Sequence, residues 1–126
     1  MAQDIVADAL NQIKNASRAK KETLVIKRSS KFLLEILNIM KLKHYLKGYK
    51  IDENKKTVEI TIGNLIECKA VKPRYHVRKN EIEKYMRRYL PSRDLGVIII
   101  STDIGLITHE EAIEKNIGGS LIAVFY

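Results

Sequence analysis

The sequence predicts an α+β fold of two small lobes, an N-terminal lobe ordered α-β-α-β-β and a C-terminal lobe that is mainly β with one short helix. Apolar residues recur at helical spacing through residues 5–16. Apolar and polar residues alternate through residues 57–62, which is typical of a strand with one buried face. Residues 97–100 are continuously apolar and β-branched, which predicts a strand buried on both faces.

The N-terminal lobe is assigned to residues 1–64. The β-branched run at residues 23–26 predicts a strand after the first helix. Ser29 and Ser30 are suited to cap a second helix, whose wide apolar face implies packing against a sheet and the first helix. A polar turn at residues 52–56 then predicts a hairpin that leads into the alternating strand.

The C-terminal lobe is assigned to residues 65–126, with the boundary placed somewhere within 64–80. A strand is predicted from residue 68 to 77, and Pro73 within it indicates an edge or a bulge. Residues 81–90 are charged, and their pattern fits either a helix or an irregular segment that stops at Pro91.

The last third of the chain carries its clearest local signals. A tight turn is predicted at residues 103–105, directly after the buried strand. Thr108 and Glu111 are predicted to form a capping box. In such a box the Thr108 hydroxyl accepts a hydrogen bond from the Glu111 amide, and the Glu111 carboxylate accepts one from the Thr108 amide. The helix should end near Asn116, and residues 121–126 should close the sheet as a strand.

The charge balance predicts a polyanionic partner. The net charge is +8, from 23 Lys and Arg against 15 Asp and Glu, and each cation held near a phosphate releases a condensed counterion. A basic chain can bind RNA, DNA or an anionic membrane, so charge does not choose among them. The chain contains no apolar run of about 18 residues and no secretory signal pattern, so no membrane partner is expected.

The single cysteine, Cys68, excludes an internal disulfide and a cysteine-based zinc site. We interpret it as a buried, inert residue, which is compatible with a reducing cytoplasm. Basic residues cluster in three places, which are either solvated faces or nucleic-acid contacts, and Tyr75 among them favours nucleic acid because a ring can stack on a base. The clusters are Lys41, Lys43 and Lys47; Lys69, Lys72, Arg74, Arg78 and Lys79; and Arg87, Arg88 and Arg93.

Residues 101–105 are a candidate binding loop. Ser101 and Thr102 end a strand, and with Gly105 they offer short donors and exposed backbone that can approach a sugar-phosphate chain or its 2′-hydroxyls. Residues 118–120, Gly-Gly-Ser, provide a second place without bulky side chains. From composition alone, two ordinary turns are the favoured explanation of both segments.

Catalysis and metal binding find little support in the sequence. Ser101, Asp103 and His109 are the residue types of a hydrolytic triad, but the chain lacks a Gly-x-Ser-x-Gly elbow, and His109 should be the first residue of a helix. The three histidines lack metal-ligand spacing, and no phosphate-binding glycine loop occurs. We therefore expect a protein that is not an enzyme and has no metal or cofactor.

Several segments in the right order resemble the eighth small-subunit ribosomal protein family, which is found in all domains of life. The most specific resemblance is in the C-terminal stretch, residues 96–126. It begins with Gly-Val-Ile-Ile-Ile-Ser-Thr-Asp-Ile-Gly and ends with Ala-Val-Phe-Tyr. Lys72-Pro-Arg74, together with Arg93-Asp94, resembles the archaeal and eukaryotic branch. The segments are residues 4–16, 28–32, 72–74, 93–94, 96–112, 117–119 and 123–126.

The resemblance implies a two-domain α+β constituent of the small ribosomal subunit that binds the central domain of its rRNA at an irregular helix and supports assembly. The expected partners are that rRNA and neighbouring ribosomal proteins, the expected location is the cytoplasmic ribosome, and the free chain should be a monomer. Asp103 stands where the family usually has Ser, and Ser120 where Glu or Arg is common. The expected RNA-binding residues are Ser101, Thr102, Asp103, Gly105, Gly118, Gly119, Ser120, Asn11, Asn15, Ser30, Lys31, Lys72 and Arg74.

Two alternatives belong to other classes. A basic scaffold outside the ribosome would bind proteins or DNA, and it would prefer a B-form duplex or show little dependence on salt. A hydrolase would need a pocket around Ser101 and His109 and labelling of that serine by a serine-reactive probe.

Overall fold

The computed structural model describes residues 5–27, 30–54, 56–71, 76–92 and 95–126. The described elements are α1 (Ile5–Arg18), β1 (Thr23–Ile26), α2 (Lys31–Leu42), β2 (Leu46–Asp52), β3 (Thr57–Ile62), β4 (Cys68–Ala70), β5 (His76–Val77), α3 (Ile82–Tyr89), β6 (Val97–Thr102), β7 (Gly105–Thr108), α4 (His109–Lys115) and β8 (Gly119–Phe125). The strands form two antiparallel sheets, which confirms the predicted α+β class.

The chain divides into two compact units, Met1–Cys68 and Lys69–Tyr126. The division falls inside β4, whereas the sequence placed it after residue 64 within a window of 64 to 80. Each unit is built around a sheet of its own.

The N-terminal unit contains a three-stranded sheet in the order β1-β3-β2. The central strand β3 alternates as predicted, since Val58, Ile60 and Ile62 are buried and the residues between them are not. Helix α1 buries one stripe that includes Leu10 and Ile13, and it contacts β1 and α2. Burying that stripe supplies most of the stability of so short a helix.

Helix α2 begins where the sequence predicts. Ser30 is its N-cap, and its hydroxyl accepts a hydrogen bond from the Leu33 amide at 3.1 Å. Such a cap satisfies an amide that has no partner within the helix. Ser29, the other predicted cap residue, lies outside the described residues. The helix buries Leu33, Ile36, Leu37 and Met40 completely.

The segment after β3 is attached to α1 by polar contacts. Ser17 donates to the Leu65 carbonyl at 2.6 Å, and Glu67 lies 3.1 Å from the Lys14 ammonium and 3.0 Å from the Arg18 guanidinium. Desolvation acts to raise the pKa of Glu67, but the two cations outweigh it and hold that pKa below its ordinary value. Cys68 is buried, as predicted, and this burial raises the pKa of its thiol to about 12, which keeps the thiol protonated near neutral pH.

The C-terminal unit is built on a sheet in the order β4-β8-β6-β7, with β5 also paired to β8. Strand β8 therefore has partners along both of its edges. Ile98 and Ile100 of β6 pack in one core with Leu121 and Val124 of β8. The same core takes in residues of both helices of the unit, including Ile82 and Ala112, and residues 97–100 are at most 4% exposed, as the sequence predicts.

Some details differ from the sequence predictions. Within the described residues, the C-terminal unit contains two helices where one was predicted, because the ambiguous stretch at 81–90 forms α3. The predicted strand at 68–77 is represented by β4 and β5, and residues 72–75 lie outside the described part of the chain. Strand β7 was not predicted at all. Of the predicted basic cluster Lys41, Lys43 and Lys47, the first lies in the last turn of α2 and the last lies in β2.

Helix α4 is fixed at its start by two side chains. The Thr108 hydroxyl accepts the Glu111 amide at 3.3 Å, which confirms the predicted cap. The expected return bond from the Glu111 carboxylate to Thr108 is absent from the described part of the chain. His109 is 1% exposed, and its Nδ1 accepts the Ile98 amide at 3.1 Å, which ties α4 to β6.

We predict that His109→Leu destabilises the protein by about 1–3 kcal/mol, because it leaves the buried Ile98 amide without an acceptor. Urea unfolding at neutral pH measures the change. Glu114→Gln, at an exposed position of the same helix, serves as control and should shift stability by less than about 0.5 kcal/mol. Equal midpoints for the two variants would show that the histidine bond contributes nothing.

Candidate nucleic-acid interface

Three polar residues lie side by side across the end of the C-terminal sheet. Ser101 of β6 is directly opposite Ser120 of β8, and Ser120 is directly opposite His76 of β5. Opposed residues of antiparallel strands project from the same face, with Cβ atoms about 4.5–5.5 Å apart. We call Ser101, Ser120 and His76 the polar row, and Leu106 of β7, opposite Ser101, borders it.

The polar row faces away from the core that holds the two helices. Its chain neighbours Ile100, Leu121 and Val77 are buried in that core, and adjacent strand residues point to opposite faces. The two serines are half-buried and His76 is exposed. The row thus presents two hydroxyls and an imidazole that a ligand can reach.

The hairpin between β6 and β7 ends in a two-residue loop, Asp103 and Ile104. The Thr102 hydroxyl donates to the Gly105 carbonyl at 2.9 Å and accepts the Ile104 amide at 3.2 Å. Gly105 has φ of +112°, a backbone conformation that favours glycine. The Thr102 hydroxyl therefore helps to form the turn, while the Asp103 and Ile104 side chains are exposed at the tip.

Gly118 and Gly119 have a structural reason to be glycines. A Cβ on Gly118 would overlap the Val77 carbonyl oxygen. A Cβ on Gly119 would overlap the Ser101 carbonyl oxygen and lie 2.9 Å from Ile100 Cγ2. Both obstacles include backbone, which cannot rotate away as a flexible side chain can. The two glycines allow the start of β8 to come close to β5 and β6, and their predicted RNA contacts remain predictions.

Four of the expected binding residues belong to the N-terminal unit. Asn11 and Asn15 are exposed one turn apart on α1, so they share one face of that helix. Lys31 is exposed at the first position of α2, and the Ser30 hydroxyl is already engaged as the cap. The expected residues Lys72 and Arg74 lie outside the described residues.

The arrangement does not form a hydrolytic triad. The His109 Nδ1 accepts the Ile98 amide in the interior, and Ser101 lies three residues further along the same strand, about 10 Å away at the rise of a strand. Among the described residues no cluster of three metal-ligating side chains occurs. No described helix is both long and apolar enough to cross a membrane.

Sequence reasoning missed two features of this unit. It did not place His76 beside Ser120, because that neighbour depends on strand register. It also did not anticipate that Tyr85 and Tyr89 of α3 stack with their ring centroids 6.3 Å apart. Their spacing of four residues was the available signal, since it puts two side chains on one helix face.

Comparison with known proteins agrees with the resemblance found in the sequence. The family model for ribosomal protein S8 matches residues 4–126. A relative from Arabidopsis thaliana, small ribosomal subunit protein uS8my, is 40% identical over an alignment that covers 100% of both chains. Small ribosomal subunit protein uS8 of the archaeon Nanoarchaeum equitans has the same identity and coverage.

These matches define a structural component of the ribosome rather than an enzyme. The chain belongs to the ribosomal protein S8 family. The family model matches residues in both compact units, and the matched range includes the C-terminal segment that carries the polar row.

We predict that Gly119→Ala destabilises the protein by about 1–3 kcal/mol, because the new methyl group forces β8 away from the Ser101 backbone. The matched control is Gly48→Ala in β2, where a Cβ meets nothing within 4 Å. Thermal and urea unfolding compare the two variants. If Gly119→Ala were as stable as Gly48→Ala, the close approach would not constrain the sheet.

Proposed function

We propose that this chain is a structural constituent of the small ribosomal subunit that binds the central domain of small-subunit rRNA at an irregular helix and supports assembly of that domain. The observation that carries the proposal is the polar row, Ser101, Ser120 and His76, on a rigid sheet. The net charge of +8 supports a polyanionic partner. The relatives' names support the small subunit as the location.

The polar row has the chemistry needed to distinguish RNA from DNA. A serine hydroxyl both donates and accepts, so Ser101 and Ser120 can bond to 2′-hydroxyls and to base edges. Sequence-specific RNA binding usually targets irregular helices and loops, where unpaired bases expose those edges. Strands hold the two hydroxyls in fixed positions, which reduces the entropy lost on binding.

Asp103 at the hairpin tip restricts how the RNA can lie. Its exposed carboxylate repels a phosphate, but it can accept a bond from a cytosine amino group or a 2′-hydroxyl. The tip therefore faces the base or ribose side of the RNA. The exposed backbone at Gly105 allows close approach beside it.

The remaining expected contacts supplement this site. Gly119 begins β8 next to Ser120 and Gly118 directly precedes it, and Thr102 shapes the turn beside Ser101. The N-terminal unit contributes exposed amides at Asn11 and Asn15 and an exposed cation at Lys31, with Ser30 next to it. Lys72 and Arg74 supply cations for phosphates. Neighbouring ribosomal proteins complete the environment in the cytoplasmic ribosome, and the free chain is a monomer.

We predict that Ser101→Ala combined with Ser120→Ala weakens binding to a central-domain rRNA fragment by about tenfold or more, which corresponds to about 1.4 kcal/mol. The physical reason is the loss of two hydroxyls that bond to the RNA. Filter binding at fixed salt measures the affinity, and circular dichroism checks the fold. Ser92→Ala, at an exposed position of the same unit, should bind as the unmodified protein does.

The same assay tests specificity. The unmodified protein should bind the central-domain fragment more tightly than a scrambled RNA duplex or a DNA duplex of equal length. Equal affinity for the fragment and the scrambled RNA would contradict specific rRNA binding. Preference for the DNA duplex would favour a basic scaffold outside the ribosome.

A further inference from the structure

We propose that α3 and Lys69 form a second RNA-binding surface, which holds the sugar-phosphate backbone of an RNA segment separate from the one bound by the polar row. The surface consists of Lys69, Lys84 and Arg88 arranged over the rings of Tyr85 and Tyr89. We call these five residues the tyrosine-anchored cation cluster. The inference rests on the proposed function, because it assumes that the partner is RNA.

The two tyrosines provide the platform. They lie one helical turn apart on α3, with ring centroids separated by 6.3 Å and ring planes inclined by 12°. Both side chains are half-buried, and they pack against the core of the C-terminal unit. Because the core fixes the rings, any group held against them has a defined position.

Three cations lie over these rings. Lys69 Nζ is 5.3 Å from the Tyr89 centroid, and Arg88 Cζ is 5.7 Å from the same point. Lys84 Nζ is 6.0 Å from the Tyr85 centroid. A cation within about 6 Å of an aromatic centroid is attracted by the ring quadrupole. The rings thus restrict long side chains that would otherwise sample many rotamers, and less freedom remains to be lost when a ligand binds.

The cluster carries uncompensated positive charge. Its three cationic residues are exposed, and no described carboxylate lies within ion-pair distance of Lys69, Lys84 or Arg88. Glu83 lines a different side of the helix together with Arg87. Glu81, the N-cap residue one turn before Tyr85, accepts the Arg78 amide at 3.2 Å. A ligand approaching the tyrosine side of α3 therefore meets three cations held by neutral rings.

Nucleic-acid backbone fits this surface well. Phosphates accept bonds from Lys and Arg, and these contacts position a protein on RNA without reading its sequence. The cluster has cations and rings but lacks the short hydroxyls of the polar row, so it is suited to phosphate rather than to base edges. Both surfaces belong to the same compact unit.

The test compares neighbouring arginines of one helix. Arg88→Gln and Lys69→Gln each remove a cation from the cluster, whereas Arg87→Gln removes one from the adjacent position outside it. Affinities are measured over a salt series for the central-domain rRNA fragment and for a scrambled duplex of equal length. Affinity decreases as salt increases, so the slope of log affinity against log salt is negative. Its magnitude should decrease by about 0.7–0.9 for each cluster variant.

The cluster variants should also lower affinity for both RNAs by the same factor, because a phosphate contact is independent of sequence. Arg87→Gln should keep the slope of the unmodified protein. The cluster would not be a distinct RNA surface if Arg88→Gln and Lys69→Gln had the same salt dependence as Arg87→Gln. This holds whether all three variants keep the slope of the unmodified protein or all three have a smaller one. RNA binding that is unchanged in Arg88→Gln and Lys69→Gln would overturn the RNA assignment and favour an acidic protein as the partner of α3.

A second pair of variants tests the role of the rings. Tyr89→Phe keeps the aromatic platform and should bind RNA as the unmodified protein does. Tyr89→Leu keeps every charge but removes the ring under Lys69 and Arg88, so its affinity should fall by about threefold or more. Equal affinity for the two would overturn the anchoring. Circular dichroism checks the fold of Tyr89→Leu. If that variant unfolds, Arg88→Gln and Lys69→Gln, which change exposed side chains, decide the proposal.

The two proposals fail in different ways. The proposed function fails if the unmodified protein does not prefer the rRNA fragment to the scrambled duplex. The tyrosine-anchored cation cluster fails if its variants leave the salt dependence unchanged, whatever that preference is. Substitutions in the polar row should reduce the preference, whereas substitutions in the cluster should reduce total affinity and leave the preference intact.

Discussion

The close approach of the β8 backbone to β5 and β6 is the constraint on which the C-terminal unit depends. It is possible only because Gly118 and Gly119 lack side chains, since a Cβ at either position would overlap a backbone oxygen. The approach lets β8 pair along both edges, and that pairing brings Ser120 between Ser101 and His76. The polar row is therefore a consequence of strand pairing, even though its members are far apart in sequence.

Local patterns predicted the parts of the fold that are locally determined. Apolar spacing identified α1, alternation identified β3, and the hydroxyls of Ser30 and Thr108 marked the starts of α2 and α4. Helix α3 stayed ambiguous because it is a short, highly charged segment that fully buries only Ile82. The neighbours of Ser101 were beyond sequence reasoning, because register arises from pairing between distant strands.

Local structure also divides the hydroxyl residues by role. The Ser30 hydroxyl caps a helix and the Thr102 hydroxyl closes a turn, so both contribute to the scaffold. Ser101 and Ser120, by contrast, lie opposite each other at the end of the β6–β8 pair, on the face of the sheet that points away from the core. In the proposals made for the C-terminal unit, base and ribose contacts fall on the polar row, and phosphate contacts fall on the tyrosine-anchored cation cluster and on Lys72 and Arg74. Such a division is expected for RNA, because phosphates position the protein while bases and 2′-hydroxyls specify the site.

Hydroxyl-radical cleavage of the rRNA fragment from a tethered iron chelate tests the central claim most directly. The native Cys68 thiol is buried with its pKa raised to about 12, so a single new cysteine can be labelled selectively. A chelate on Asp103→Cys, at the hairpin tip, should cleave nucleotides of one irregular helix in the central-domain fragment. A chelate on Glu114→Cys, on the exposed side of α4, should cleave them weakly. Equal cleavage from both positions, or stronger cleavage from residue 114, would contradict binding through the polar row.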